Sequence, residues 1–328
     1  MIKTADLPRF VETLSEYGTV CAPVERRPGE YVFSEIEKPG DVAWNYTNTL
    51  MPPKKYFFPP REKLLVFHGD GRVEENLDST KRVLLGVRSC DLHALQRLDI
   101  VAGGEYPDPY YKARRENTLV VCLVCVEPCG DHSFCVSMGT NVPPPIYDLK
   151  MTPGDGGFVV EPGTEKGREV FESLTTILED AAPPPEPSFA QERKIDREKV
   201  AHLLRNGFNS EVWEKYAERC LSCGACNINC PTCYCYELED HIANTMDGGS
   251  RERAWDGCHF VDFSAVAGGG NFRARRRQRL QQWVNHKLWY FMERNGQHLC
   301  VGCGRCVRDC PAGIAIDEIV RDLGGGSV

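Results

Sequence analysis

Two stretches of this 328-residue chain gather the residue types that could do redox chemistry. The first is Cys220-Leu-Ser-Cys223-Gly-Ala-Cys226-Asn-Ile-Asn-Cys230-Pro231, and the second is Cys300-Val-Gly-Cys303-Gly-Arg-Cys306-Val-Arg-Asp-Cys310-Pro311. Both read C-x2-C-x2-C-x3-C-P, the run that holds [4Fe–4S] clusters in two-cluster ferredoxins. Three thiolates from one tight loop can cap three corners of a cube, and crowding sends the fourth cysteine to the neighbouring cluster. The spacing therefore assigns Cys220, Cys223, Cys226 and Cys310 to one cluster, and Cys300, Cys303, Cys306 and Cys230 to the other. Gly224, Gly302 and Gly304 let backbone N–H groups approach the sulfurs, which tunes potential. Structural zinc competes for such cysteines, but it favours two C-x2-C pairs or Cys/His mixtures closing a single tetrahedron.

Nine further cysteines lie outside these runs. Cys90 follows an apolar run at a predicted helix N-terminus, where a thiolate is electrostatically favoured. Alternation along Thr118–Val126 puts Cys122 and Cys125 on opposite faces, which leaves Cys122 as a small buried hydrophobe. Cys125, Cys129 and Cys135 sit where that run gives way to a loop carrying Pro128, Gly130 and Asp131. Spacing alone leaves two readings open for this group, a third metal site or buried thiols. Cys233, Cys235 and Cys258, with His241 and His259 near them in sequence, form a candidate minor metal or redox site set against packing beside the neighbouring cluster. Cys21 stands alone and reads as a buried thiol.

The elements that must position these residues differ between the two halves. Residues 6–17 read as an amphipathic helix, with Pro8 in the first turn and a stop at Gly18. Arg82–Arg88 and Thr118–Val126 are continuous apolar, β-branched runs, as in the buried strands of a parallel sheet. Residues 147–161 read as a hairpin turning at Pro153-Gly-Asp-Gly-Gly157, followed by a charged helix over about 165–179. Ala181-Ala-Pro-Pro-Pro-Glu-Pro187 excludes helix and marks a stiff spacer. Beyond it the strand signals fade. Leu280, Trp283, Val284, Leu288, Phe291 and Met292 recur at helical spacing before Asn295-Gly296, as a packing helix does. The expected class is α+β in two domains: an α/β domain over 1–183 and an α-helical, ferredoxin-like two-cluster domain over 184–328.

Composition excludes several classes. Apolar residues make up 41% and charged residues 26%, a globular mixture. The longest apolar run, Leu119–Val126, is far too short to span a bilayer, and the N-terminus lacks an export pattern. The 17 cysteines are thus expected in a cytoplasmic, reducing setting, where ligation rather than disulfide bonding explains them. A formal charge of −8 argues against nucleic acid as a partner. No G-x-G-x-x-G follows a predicted strand and no G-x-x-x-x-G-K-[ST] occurs, so no flavin, NAD(P) or nucleotide site is expected on this chain. Gly69-Asp-Gly71 and Gly268-Gly-Gly270 read as turns.

An ordered series of motifs carries a resemblance over nearly the whole chain. It runs through Tyr56-Phe-Phe-Pro59, Gly86-Val-Arg-Ser-Cys-Asp91, Asp108-Pro-Tyr-Tyr111, Arg114-Arg-Glu-Asn117 and Phe134-Cys-Val-Ser-Met-Gly-Thr140. It continues with Cys230-Pro-Thr-Cys-Tyr-Cys235, Trp255-Asp-Gly-Cys258, Asn271-Phe-Arg273 and Cys300–Cys306. The chain resembles the iron–sulfur β subunits of soluble NAD(P)-linked [NiFe] hydrogenases (sulfhydrogenases) and the A subunit of anaerobic sulfite reductase. The resemblance implies a subunit passing electrons between a flavin/NAD(P)H subunit and a catalytic partner, not itself catalytic. It also implies a third [4Fe–4S] cluster at the N-terminal cysteines. The family often carries Cys-Phe-Cys before Ser-Met-Gly-Thr, whereas this chain has Ser133-Phe134-Cys135 and, in an altered loop, Cys129. The implied third set is therefore Cys90, Cys125, Cys129 and Cys135, with Cys122 the rival to Cys129.

The leading expectation is an electron-transfer subunit of an anaerobic oxidoreductase complex, with a hydrogenase- or sulfite-reductase-type partner. Two rivals accompany it. One is a thiol/disulfide oxidoreductase using Cys233, Cys235 and Cys258; the other is an iron–sulfur sensor that binds DNA through the run Arg273–Arg279. Three oxidised clusters with thiolate ligands would take the charge to about −14.

Overall fold

The computed structural model describes residues 1–184, 187–245 and 247–325. The chain divides into two compact units. One comprises Met1–Phe57, Asp78–Glu192 and Val301–Cys303; the other comprises Phe58–Leu77, Arg193–Cys300 and Gly304–Val328. Pro185 and Glu186 of the proline-rich spacer lie outside the described residues.

The first unit is built on a seven-stranded sheet in the order Ile2–Lys3, Gly157–Pro162, Leu149–Gly154, Thr118–Leu123, Arg82–Val87, Thr19–Arg27, Glu30–Glu35. Its four middle strands are mutually parallel, and the outer pairings are antiparallel. All six residues of Thr118–Leu123 are buried, which is why that strand reads as an unbroken apolar run. The crossover from Arg82–Val87 to Thr118–Leu123 carries helices Ser89–Ala102 and Pro109–Glu116. Asp108 starts the second of these by accepting from Tyr110 and Tyr111 N–H, with Pro109 preset at the first helical position. Asp148 joins sheet to helix: its carboxylate accepts from Val120 N–H at 2.7 Å and from the Thr164 hydroxyl at 2.6 Å. Thr164 in turn caps helix Glu165–Ser173. Phe10, Leu14, Val83, Leu85, Val121 and Leu149, all buried, belong to the core beneath.

The second unit departs from the all-helical expectation. It holds an antiparallel four-stranded sheet in the order Tyr236–Ile242, Gly248–Trp255, Arg61–His68, Val73–Glu75. Charged side chains mask these strands in the sequence. Arg61 pairs with Glu239 at 2.7 Å and Glu252 at 3.1 Å on one face, and Arg251 pairs with Asp240 at 2.7 Å on the other, so ion pairs replace apolar alternation. Glu62 and Arg253 form a buried ion pair, and Arg253 also lies over the rings of Phe58 and Tyr236.

Helices make up the rest of this unit, among them Val200–Asn206, Val212–Arg219 and Ile316–Leu323. The last long apolar pattern forms one continuous rod: helix Arg276–Asn285, a π turn His286–Tyr290, and helix Phe291–Asn295 ending at Gly296. Leu280, Trp283, Val284, Leu288 and Phe291 are buried along it. Among the described residues no helix is long and apolar enough to cross a membrane.

Candidate iron–sulfur site

The two cysteine runs fold alike. Each loop ends in a one-turn helix, Ala225–Ile228 in the first and Arg305–Arg308 in the second. Gly224 and Gly304 start these turns, their carbonyls accepting from Asn227 and Ile228, and from Val307 and Arg308, at 2.8 to 3.0 Å. The third residue of each run lies in the left-handed region, Ser222 at φ 53° and Gly302 at φ 62°. Ser222 is the one non-glycine residue with positive φ among those described, so the first loop carries strain where the second has glycine. The strained turn aims its own N–H at Cys220 Sγ, 3.4 Å away. At the far end of the second run, Ile314 N–H donates to Cys310 Sγ at 3.3 Å. Such N–H···S bonds stabilise negative charge on sulfur.

Within the second unit Cys220, Cys223, Cys226 and Cys310 line one cavity of empty volume ≈ 310 Å³, closed by His259 and Ile314. Asn229 donates to Asp309 at 2.7 Å, joining the residues that precede Cys230 and Cys310. Burial pushes the Cys226 thiol well above its ordinary range, and the sulfurs of Cys258, Cys220, Cys310 and Cys230 push the same way. Thiolates so crowded need a cation among them, and iron supplies that charge. The donor set, four cysteines from two runs at one cavity, fits a [4Fe–4S] group.

In the first unit Cys90 is the second residue of helix Ser89–Ala102, reached through a bulge at Gly86 whose carbonyl accepts from Tyr46 Oη. It packs with Ala94, Val301 and Cys303 in one buried cluster. Cys303 is held there by Asn48, which donates to its carbonyl at 3.0 Å. Gly302 presses on the Phe134–Cys135 backbone so closely that an added Cβ would stand 2.7 Å from Cys135 N. Cys125 and Cys129 line a second cavity, of empty volume ≈ 660 Å³, with Trp44, Tyr46, Arg88 and Phe158. The Cys129 thiol, hydrogen-bonded to Cys125, holds Cys125 below the usual thiol range against the opposing effect of burial; the Arg88 guanidinium and Ser89 N–H help. Burial pushes Cys135 up to about 11, with the Cys125 and Cys303 sulfurs adding to the effect and a hydrogen bond from Gln191 opposing it. Cys122 is fully buried in the central strand, opposite Val87 and Lys150, and burial drives its thiol up. Cys21 is likewise buried.

Cys233, Cys235 and Cys258 gather in the second unit. Asn227 Nδ2 lies 3.5 Å from Cys258 Sγ and 3.8 Å from Cys233 Sγ. A hydrogen bond with Cys233, and then burial, raises Cys235, while burial carries Cys258 up to about 11. Among the described residues no group of three or more His, Cys, Asp or Glu side chains is arranged to hold a single metal ion.

Several site residues escaped the sequence reading. Arg88 is a buried cation that donates to the carbonyls of Leu123, Val124 and Tyr46 and lies 4.2 Å from the Tyr46 ring centroid. Of the basic run Arg279 alone is buried, Arg273 and Arg277 are half-buried, and Arg275 and Arg276 are exposed. Arg279 donates to His259 O, Ala274 O and Ser222 Oγ, Arg276 to Ala217 O, Arg277 to Ser210 O, and Arg273 to Ser264 Oγ. Arg279 thereby braces the strained loop of the first run. Lys287 is buried in the rod helix, whose apolar spacing marks it only as a packing element. A cation three residues after Val284 and four before Phe291, on the apolar stripe, was the available signal.

The folded cysteine loops define the class, an iron–sulfur protein of the two-cluster ferredoxin type, and residues 219–314 match the family model of the 4Fe-4S dicluster domain. Over 329 aligned residues the chain is 35% identical to sulfhydrogenase 2 subunit beta of Pyrococcus furiosus, covering 96% of each protein. The chain belongs to this family of hydrogenase β subunits. A shorter likeness joins it to the F420-dependent formate dehydrogenase subunit beta of Methanocaldococcus jannaschii, 30% identical over 83 residues, 25% of this chain and 18% of that protein. No solved structure matches the chain.

Proposed function

We propose that this chain is the electron-transfer subunit joining a flavin/NAD(P)H subunit to a hydrogenase-type catalytic partner. Bound [4Fe–4S] groups supply one-electron exchange. Cys220, Cys223, Cys226 and Cys310 hold one such group, and Cys300, Cys303, Cys306 and Cys230 a second. Cys90, Cys125, Cys129 and Cys135 hold a third; the cavity that Cys129 shares with Cys125, and that Cys122 does not line, favours Cys129 over Cys122. The protein's own work is to bury the sulfurs, direct N–H groups at them and offset their charge. Ser222 and Ile314 N–H and the Arg88 guanidinium are placed for that.

The observation that carries this reading is the meeting of Cys310 with Cys220, Cys223 and Cys226 at one cavity. Near-full-length likeness to a subunit of a sulfhydrogenase supports the choice of catalytic partner. Anaerobic isolation of the native complex, with its subunits identified by mass spectrometry and its metals assayed, tests it. A flavoprotein and a nickel-containing subunit are expected. A sirohaem subunit would redirect the reading to sulfite reduction, and isolation without any partner would overturn it.

A further inference from the structure

Lys287 is 4% exposed and sits in the π turn His286–Tyr290, a register change that turns a long side chain on the rod helix inward. Its Nζ lies 3.2 Å from Thr232 Oγ1, and that oxygen lies 3.3 Å from Cys230 Sγ. Among the described ion pairs none joins Lys287 to a carboxylate. A buried ammonium without a counter-ion is costly. What this lysine faces is the Thr232 hydroxyl and, one contact beyond it, the Cys230 sulfur.

We propose that Lys287 is the charge-compensating residue of the cluster ligated by Cys230, holding that cluster's reduction potential above the value its thiolates alone would give. The proposal rests on the reading that Cys230 is a cluster ligand. Adding an electron to a cluster increases its negative charge, so a fixed cation one hydroxyl away from a ligand sulfur favours the reduced state. Thr232, fully buried, relays the contact.

The test is a redox titration of the holoprotein followed by EPR, in the wild type and in Lys287→Gln, Lys287→Met and Lys287→Arg, with iron and sulfide counted in each. Gln keeps a donor for Thr232 and removes only the charge. The expected result is one reduction wave displaced to more negative potential in the Gln and Met variants, with the other waves unmoved and Arg restoring the wild-type value. Iron loss in Gln and Met but not in Arg also supports compensation, because the charge is then needed to keep the cluster. Unmoved potentials at full iron content would overturn the proposal while leaving the cluster assignment intact, and so would equal iron loss in all three variants. Full retention of every cluster in Cys230→Ser would remove the ligand reading and this proposal together.

Discussion

Cys310 lines the same cavity as Cys226, although the two belong to different cysteine runs. Crossed ligation of this kind makes each cluster depend on both runs, and the dependence is measurable. In Cys310→Ser the cluster of Cys220, Cys223 and Cys226 should be weakened, with loss of about four irons per chain. Cys230→Ser should instead deplete the other cluster. Iron assay with EPR on both variants checks this. Loss confined to the run that carries the substitution would refute the crossing.

Arg279 spends its guanidinium on His259 O at 3.0 Å, Ala274 O at 2.7 Å and Ser222 Oγ at 3.3 Å. Arg279→Met leaves those acceptors unsatisfied in a buried setting, so unfolding should become easier by about 3 kcal/mol. Because Arg279 is buried and Arg273, Arg276 and Arg277 each already donate to a protein acceptor, DNA affinity with a steep salt dependence should be absent. Denaturant titration and a salt series of DNA binding check the two statements.

Glu62 and Arg253 have side chains 3% and 7% exposed. Glu62→Gln strands the guanidinium and should cost about 3 to 5 kcal/mol. Replacing both with apolar residues of similar volume should recover much of that loss. A double-mutant cycle by chemical denaturation reads the difference.

One buried histidine, His259, and two half-buried ones, His93 and His286, set an acid-side limit on stability. Burial holds His93 and His259 down to about 4 and His286 to about 3, with nearby cations adding to the effect and, at His93, a bond to the Val142 carbonyl opposing it. The unfolded chain takes up these protons near pH 6.5, before the folded chain does. Stability should therefore be full above about pH 6.5 and fall as pH drops from there toward 4. His93→Gln should flatten part of that fall, on the order of 2 kcal/mol. Unfolding curves at pH 7.5 and 5 test it.

The parallel core was legible in the sequence because Arg82–Val87 and Thr118–Leu123 are covered on both faces and carry no polar alternation. The second of these ends before Val126, where Arg88 takes the Leu123 and Val124 carbonyls that a longer ladder would use. The helix after Thr164 stops at Ser173 instead of near 179, with Leu174 and Ile177 turned into the core. Strands Tyr236–Ile242 and Gly248–Trp255 were not legible, since charged residues that pair across the strands stand on both faces where apolar alternation would have marked one. The cysteine runs were read directly from spacing. Their supports were not, because Arg88, Arg279 and Lys287 act on sulfurs and loops that are distant in sequence.

The most direct measurement is iron and acid-labile sulfide per chain in the anaerobically isolated protein. The account predicts about twelve of each. About eight would remove the third cluster of Cys90, Cys125, Cys129 and Cys135, and bound zinc without sulfide would contradict the central claim.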